Sequence, residues 1–181
     1  MARLRGYLFP QVPTNDNLIY NSGYIRVFIV KGLIMSVVYV SGTFDLFHRN
    51  HLKMIEYGAG LGDTLIVGVS TDELVCSYKN PPTIPFEERI AIIGALKYPD
   101  VVIPQRSLEH TQRVKDLNID IFVIGDDWRG KYDYLRDLGV KVFYFPYGAG
   151  VSSTNLKNKI FNQYQDLVKK SDTHGHPKPT S

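Results

Sequence analysis

The sequence predicts an α/β fold: a doubly wound, parallel five-stranded sheet with helices on both faces. Two observations predict it. From Met35 onward, short and nearly continuous apolar runs of strand length alternate with longer stretches whose apolar residues recur at helical spacing. The chain is also 181 residues long, 44% hydrophobic and 22% charged, which suits a single domain of that class.

The elements follow in order. Residues 37–40 form an apolar strand that ends at Gly42. Residues 48–59 carry Leu52, Ile55 and Ala59 at helical spacing and stop near Gly60 and Gly62. Strand 65–69 comes next, then a helix at 86–96 with Ile90, Ile93, Gly94 and Leu96 on its inner face. Strand 101–103 and helix 108–117 precede strands 121–124 and 140–145. Helix 154–168 closes the domain with Leu156, Ile160, Tyr164 and Leu167 expected inward.

Residues 1–34 do not share this rhythm and read as an N-terminal extension or a misassigned start, with an edge strand at 24–30 as the alternative. Their most apolar stretch, 24–40, is interrupted by Arg26 and Lys31 and falls short of the roughly 20 clean apolar residues of a membrane span. The domain is therefore expected at 35–170, and the polar residues 171–181 as a disordered tail.

Composition excludes collagen-like, mucin-like and fully disordered classes. A single cysteine, Cys76, cannot form an intrachain disulfide and fits a reducing, cytoplasmic setting. A formal charge of +3 gives no reason to expect nucleic acid as a partner, whereas small anions stay open.

In doubly wound sheets ligands bind beyond the carboxyl ends of the strands. The first strand-to-helix handover, residues 41–51, holds the most chemistry. Gly42 permits a tight turn and close approach of a ligand, and Asp45 is placed to cap the coming helix. His48 and His51 are three apart, which puts both rings on one face of its first turn. Unsatisfied amides and the positive end of the helix dipole favour phosphate there. Two imidazoles at that point can donate to oxygens that gain charge in a transition state.

Gly42-Thr43-Phe44-Asp45 followed by His48-x-x-His51 resembles the nucleotidyltransferase superfamily with the HxGH signature. Within it the sequence is most similar to cytidylyltransferases of the glycerol-3-phosphate cytidylyltransferase type. Further shared segments are Gly62-Asp63-Thr64-Leu65, Val69-Ser70-Thr71-Asp72-Glu73, Phe86-Glu87-Glu88-Arg89, Gly125-Asp126-Asp127-Trp128 and Gly150-Val151-Ser152-Ser153-Thr154. The resemblance implies a Rossmann-like domain that transfers CMP from CTP to a small phosphorylated alcohol, glycerol-3-phosphate-like or a phosphonate, and releases pyrophosphate. It implies His48, His51, Arg89 and Lys79 as catalytic residues, with Lys79 in a proline-rich flap at 77–85. It implies Gly42, Thr43, Phe44, Asp45, Asn50, Asp126, Trp128, Ser152, Ser153 and Thr154 as nucleotide-binding, with Asp126 and Trp128 at the cytidine. Mg²⁺ as cofactor and a homodimer are implied as well.

Three positions depart from the family pattern. Asn50 stands at the glycine of HxGH, and Tyr147 at the arginine of the Arg-Thr-x-Gly-Ile-Ser-Thr-Thr motif, here Tyr147-Gly148-Ala149-Gly150-Val151-Ser152-Ser153-Thr154. Lys97 replaces a second arginine and loses its bidentate fork. Asn50 is expected to crowd the nucleotide, so that Asn50→Gly raises affinity. Three alternatives stay open at this point: an adenylyltransferase of the same fold that uses ATP, a catalytically weakened nucleotide-binding protein, and a structural subunit in which the histidines pack or cap.

Overall fold

A computed structural model describes residues 35–148 and 150–173 of the chain. The expectations for residues 1–34 and 174–181 lie outside the described residues. In chain order the elements are β1 (Val37–Gly42), α1 (Arg49–Ala59), β2 (Thr64–Ser70), α2 (Asp72–Cys76), α3 (Phe86–Gly94), β3 (Val101–Gln105), α4 (Thr111–Leu117), β4 (Ile121–Gly125), β5 (Lys141–Phe145) and α5 (Ser153–Thr173). Two 3-10 turns, Asp126–Trp128 and Asp133–Leu138, lie between β4 and β5.

All five strands are parallel, in the order β3-β2-β1-β4-β5. Strand-by-strand alternation divides two cores. Val38, Val40, Leu65, Val67, Val69 and Val123 pack under Met54 and Ile55 of α1 and Ile93 of α3. Tyr39, Ile66, Phe122 and Ile124 face the other way, against Val114 of α4, Tyr132 and Leu135. Because both faces are covered, β2 and β4 are buried along their whole length. The chain order reverses between β1 and β4, so the crevice that such sheets use lies at the carboxyl ends of those two strands.

The structure corrects the sequence reading in four places. The second face is covered in part by the 3-10 turn Asp133–Leu138, pinned by buried Leu135, where no element was expected. The helix expected from 108 starts at Thr111, because residues 107–111 form a polar turn: the Ser107 hydroxyl accepts from the Glu109 amide, and the Glu109 carboxylate from the Thr111 amide. The short helix α2, capped by the Thr71 hydroxyl on the Leu74 amide, carries too few residues to show a period. Finally, α5 runs on to Thr173, so residues 171–173 are helical rather than part of a tail. Ile160, Tyr164 and Leu167, expected inward, are 56%, 61% and 66% exposed, and only Leu156 near the start is half-buried. A helical period identifies an apolar face and says nothing of what covers it. No helix among the described residues is long and apolar enough to cross a membrane.

Candidate functional site

The carboxyl end of β1 is built around one glycine. A Cβ on Gly42 would stand 2.9 Å from the Phe44 ring, which lies across it into the core. Phe44 and Leu46 both hold positive φ, 56° and 47°, a costly backbone for non-glycine residues. Burial of the Phe44 ring secures that turn. Phe44 therefore supports the site from below and offers no side chain to a ligand.

His48 is the residue before the first turn of α1 rather than a member of it, with extended backbone (φ −141°, ψ 175°). That orientation folds its ring back onto His51: the two stack with centroids 3.8 Å apart and 19° between planes. His51 is only 9% exposed, with Phe44 edge-on at 5.5 Å and Phe47 at 5.8 Å. Neither Nδ1 has a hydrogen-bond partner among the described residues. Burial, then the neighbouring His48, pushes the His51 imidazole down to about 3, and burial lowers His48 also. At neutral pH both rings are uncharged, and each keeps one N–H to donate.

Asp45 does not cap α1, which has no side-chain cap at all. Its carboxylate accepts from the Thr83 and Ile84 amides and pairs with Lys157 of α5 at 2.8 Å. Burial alone would raise the Asp45 carboxyl, but Lys157 and those two amides outweigh it and hold the group below the usual carboxylate range. The Asp45 carbonyl accepts from the Ser153 hydroxyl at 2.6 Å. Asp45 thus joins three segments and is spent on protein partners rather than on nucleotide.

Arg89 is likewise corrected. It is 1% exposed, and its guanidinium donates to the Thr43 and Ile84 carbonyls and to Asp72 at 2.6 Å. It is a strut beneath the loop after β1. Lys79 remains at the surface of the site, donating to the Thr43 hydroxyl at 3.0 Å. Burial lowers its ammonium, while Asp127 and Asp45 pull the other way. The flap 77–85 is tied to the loop after β1: Tyr78 reaches Thr43 at 3.4 Å and meets Trp128 edge-on at 5.5 Å, and the Thr83 and Ile84 amides hold Asp45.

The start of α5 completes the assembly. Ser152 caps it, its hydroxyl accepting from the Asn155 amide. Thr154 is exposed beside it. Asn50, buried in the first turn of α1, donates to the Gly148 and Val151 carbonyls just before α5. Two helix N-termini, each with free amides and a positive dipole end, therefore meet beside the imidazole pair.

Beyond the flap lies a cleft of about 490 Å³, lined by Tyr78, Lys79, Asp127, Trp128, Arg129 and Lys131. Neither histidine lines it. Asp127 lines this cleft and Asp126 does not, and burial raises the Asp127 carboxyl against the pull of Lys79. Arg129 and Lys131 were missed by the sequence reading, although basic residues alternating after the only tryptophan, at the end of a strand, were the available signal. Behind it, a void of about 20 Å³ reaches Ser41, Gly42, Thr43, Ser70, Gln105 and Tyr132. No carboxylate lines that void. Tyr147 lies flat on Gly125, where any Cβ would stand 2.2 Å from its hydroxyl oxygen. Burial and then Asp127 and Asp126 raise its phenol above the ordinary range, so it serves as a neutral surface where the resemblance placed an arginine. Lys97 stays at the surface over the Tyr98 ring, 4.9 Å from its centroid.

Comparison with known proteins bears on the family and the fold. The family described as cytidylyltransferase-like matches residues 39–159. Glycerol-3-phosphate cytidylyltransferase of Bacillus subtilis is 42% identical over 127 residues, covering 70% of this chain and 98% of that protein. Ethanolamine-phosphate cytidylyltransferase of Dictyostelium discoideum is 34% identical over 130 residues, 68% of this chain and 36% of that one. Among solved structures, a lipopolysaccharide core biosynthesis protein from Thermoplasma volcanium superimposes with a TM-score of 0.55 at 25% identity, over 65% of this chain and 99% of its own.

Proposed function

This chain belongs to the cytidylyltransferase-like family, and we propose that it transfers CMP from CTP to a small phosphorylated polyol with release of pyrophosphate. The observation that carries the reading is the meeting of two helix N-termini with a stacked, uncharged imidazole pair, an arrangement suited to one polyphosphate.

In this reaction a phosphate oxygen of the acceptor attacks the α-phosphorus of CTP. The bond from that phosphorus to the bridging oxygen breaks, and the electron pair leaves with pyrophosphate. No covalent enzyme intermediate is needed, so the protein contributes alignment and charge stabilisation. His48 and His51 donate N–H bonds to α- and β-phosphate oxygens, which gain charge as the leaving group departs. The amides opening α5, with the hydroxyls of Ser152 and Thr154, take the β- and γ-phosphates. Lys79 exchanges the Thr43 hydroxyl for a phosphate oxygen as the flap settles. Mg²⁺ enters as part of the substrate, bound to the triphosphate.

The acceptor's phosphate belongs in the basic cleft, against Lys79, Arg129 and Lys131, with Trp128 as its wall rather than the cytidine's. The Bacillus subtilis relative, covered over 98% of its length, is a glycerol-3-phosphate cytidylyltransferase, which favours a polyol over an amino alcohol as the acceptor. Homodimerisation is part of the same proposal, and sedimentation of the full chain tests it.

Pyrophosphate release measured with CTP or ATP against glycerol 3-phosphate, ethanolamine phosphate and hydroxyethylphosphonate tests the function. Release with CTP and a neutral polyol phosphate supports it, and no release with any pair overturns it. Tyr147 in the arginine position favours one second reading, a protein that binds CTP and turns it over slowly or not at all. Thermal stabilisation by CTP without pyrophosphate release would select that reading.

A further inference from the structure

We infer that Asn50 is a positioning residue that latches the turn before α5 onto the first turn of α1, setting the distance between the two helix N-termini. The inference rests on the CMP-transfer reading for its consequence, though not for its geometry. Asn50 is 6% exposed, and both hydrogens of its amide nitrogen are used, on the Gly148 carbonyl at 2.9 Å and the Val151 carbonyl at 2.8 Å. The side chain is therefore turned into the protein, which reverses the expectation that it crowds the nucleotide.

The turn it holds needs a tether. Gly148 and Gly150 give it wide backbone freedom, and Gly150 sits at φ +103°. The bonds from Ser153 and Lys157 to Asp45 fix α5 itself, and the Tyr147 ring on Gly125 fixes the far end of the turn. Between them, Asn50 joins the turn to the helix that carries His51. A Cβ at Gly148 would stand 3.4 Å from the Asn50 amide oxygen, an ordinary contact distance, so the turn lies directly against this side chain. The glycine of HxGH has no side chain with which to form this link.

The test compares Asn50→Ala, Asn50→Gly and Asn50→Asp with the parent chain. Amide hydrogen exchange across residues 147–152 is measured without substrate, and KM for CTP, KM for the acceptor and kcat are measured separately. Loss of two hydrogen bonds should speed exchange in the turn and raise KM for CTP, each by about tenfold, with acceptor KM unchanged. Asp should be worse than Ala, because its carboxylate faces two carbonyl oxygens. Glycine is the residue the family motif carries here, so the fold accepts it, and Asn50→Gly serves if Asn50→Ala fails to fold. Unchanged exchange in the turn, or tighter CTP binding by Asn50→Gly, would overturn the latch. A parent chain that neither binds nor turns over CTP overturns the CMP-transfer reading instead, and the exchange data then still decide the latch.

Discussion

The two rims of the sheet are built on opposite principles. At the amino end, three aspartates close the strand entrances. Asp63, Asp100 and Asp120 accept from the amides of Ser36, Leu65 and Val37, each at 2.8 Å, and each returns its own amide to the carbonyl of the same residue. Polar groups are paired there and the chain is relaxed. At the carboxyl end, Phe44 and Leu46 hold positive φ, the nitrogens Nδ1 of two stacked histidines lack partners among the described residues, and a lysine and a carboxyl are both displaced from their ordinary ranges. Two strained residues and two unmet histidine nitrogens thus stand at the rim where sheets of this class bind ligands. One rim holds the fold together and the other is held ready by it.

Substitutions on the two rims should separate stability from turnover. The largest effect is expected from His48→Ala or His51→Ala, each lowering kcat by about a hundred- to a thousandfold, read by pyrophosphate release. His48→Ala should leave the melting temperature nearly unchanged, since that ring is the less buried of the two. Full activity in both variants would remove the histidines from the mechanism.

On the opposite rim, Asp120→Ala should cost about 0.5–1.5 kcal/mol in urea unfolding by removing the exposed bond to the Val37 amide, while folded enzyme keeps its kcat. A matching loss of kcat per folded molecule would show that the rims are not independent.

A smaller effect concerns acid. Burial holds His51 at about 3 and His110, enclosed by Tyr39, Phe122 and Tyr132, at about 4. The unfolded chain protonates both near 6.5, so between pH 6.5 and 4 it binds more protons than the folded one, and stability falls as pH falls. Neither His110 ring nitrogen has a partner among the described residues, so His110→Phe should fit the aromatic enclosure and make that decline shallower. Urea unfolding at a series of pH values reads the slope, and an unaltered slope would show that His110 does not contribute.

The smallest effect is Tyr98→Phe, which removes an exposed bond to Glu56 and should change stability by less than about 0.5 kcal/mol. A larger loss would mean that the outer face of α1 matters as much as its termini.

Legibility followed how local the determining contacts are. The strands could be read because burial on both faces leaves a continuous apolar run, as in 121–124, whatever lies nearby. The two histidines could be read because their partner is each other. Arg89 could not: its partners Thr43 and Asp72 lie 46 and 17 residues away, and an arginine flanked by Glu88 and Ile90 looks like any surface position. The same holds for Asn50, whose two acceptors are 98 and 101 residues off, and for Asp45, whose capping signature is genuine in sequence but is outcompeted by Lys157 and the flap. Asp133–Leu138 escaped notice because its hold comes from one leucine and not from a period.

The Arg89 strut has a consequence for how this molecule is read by genetics. One guanidinium anchors the turn leading to the stacked rings, the root of the flap and the start of α2 together. A scan for inactive variants will therefore score position 89 beside the histidines, though it is walled off from solvent and its guanidinium is taken up by protein partners. Spectroscopic comparison of the loop in such a variant, rather than its lost turnover, reports what the side chain does.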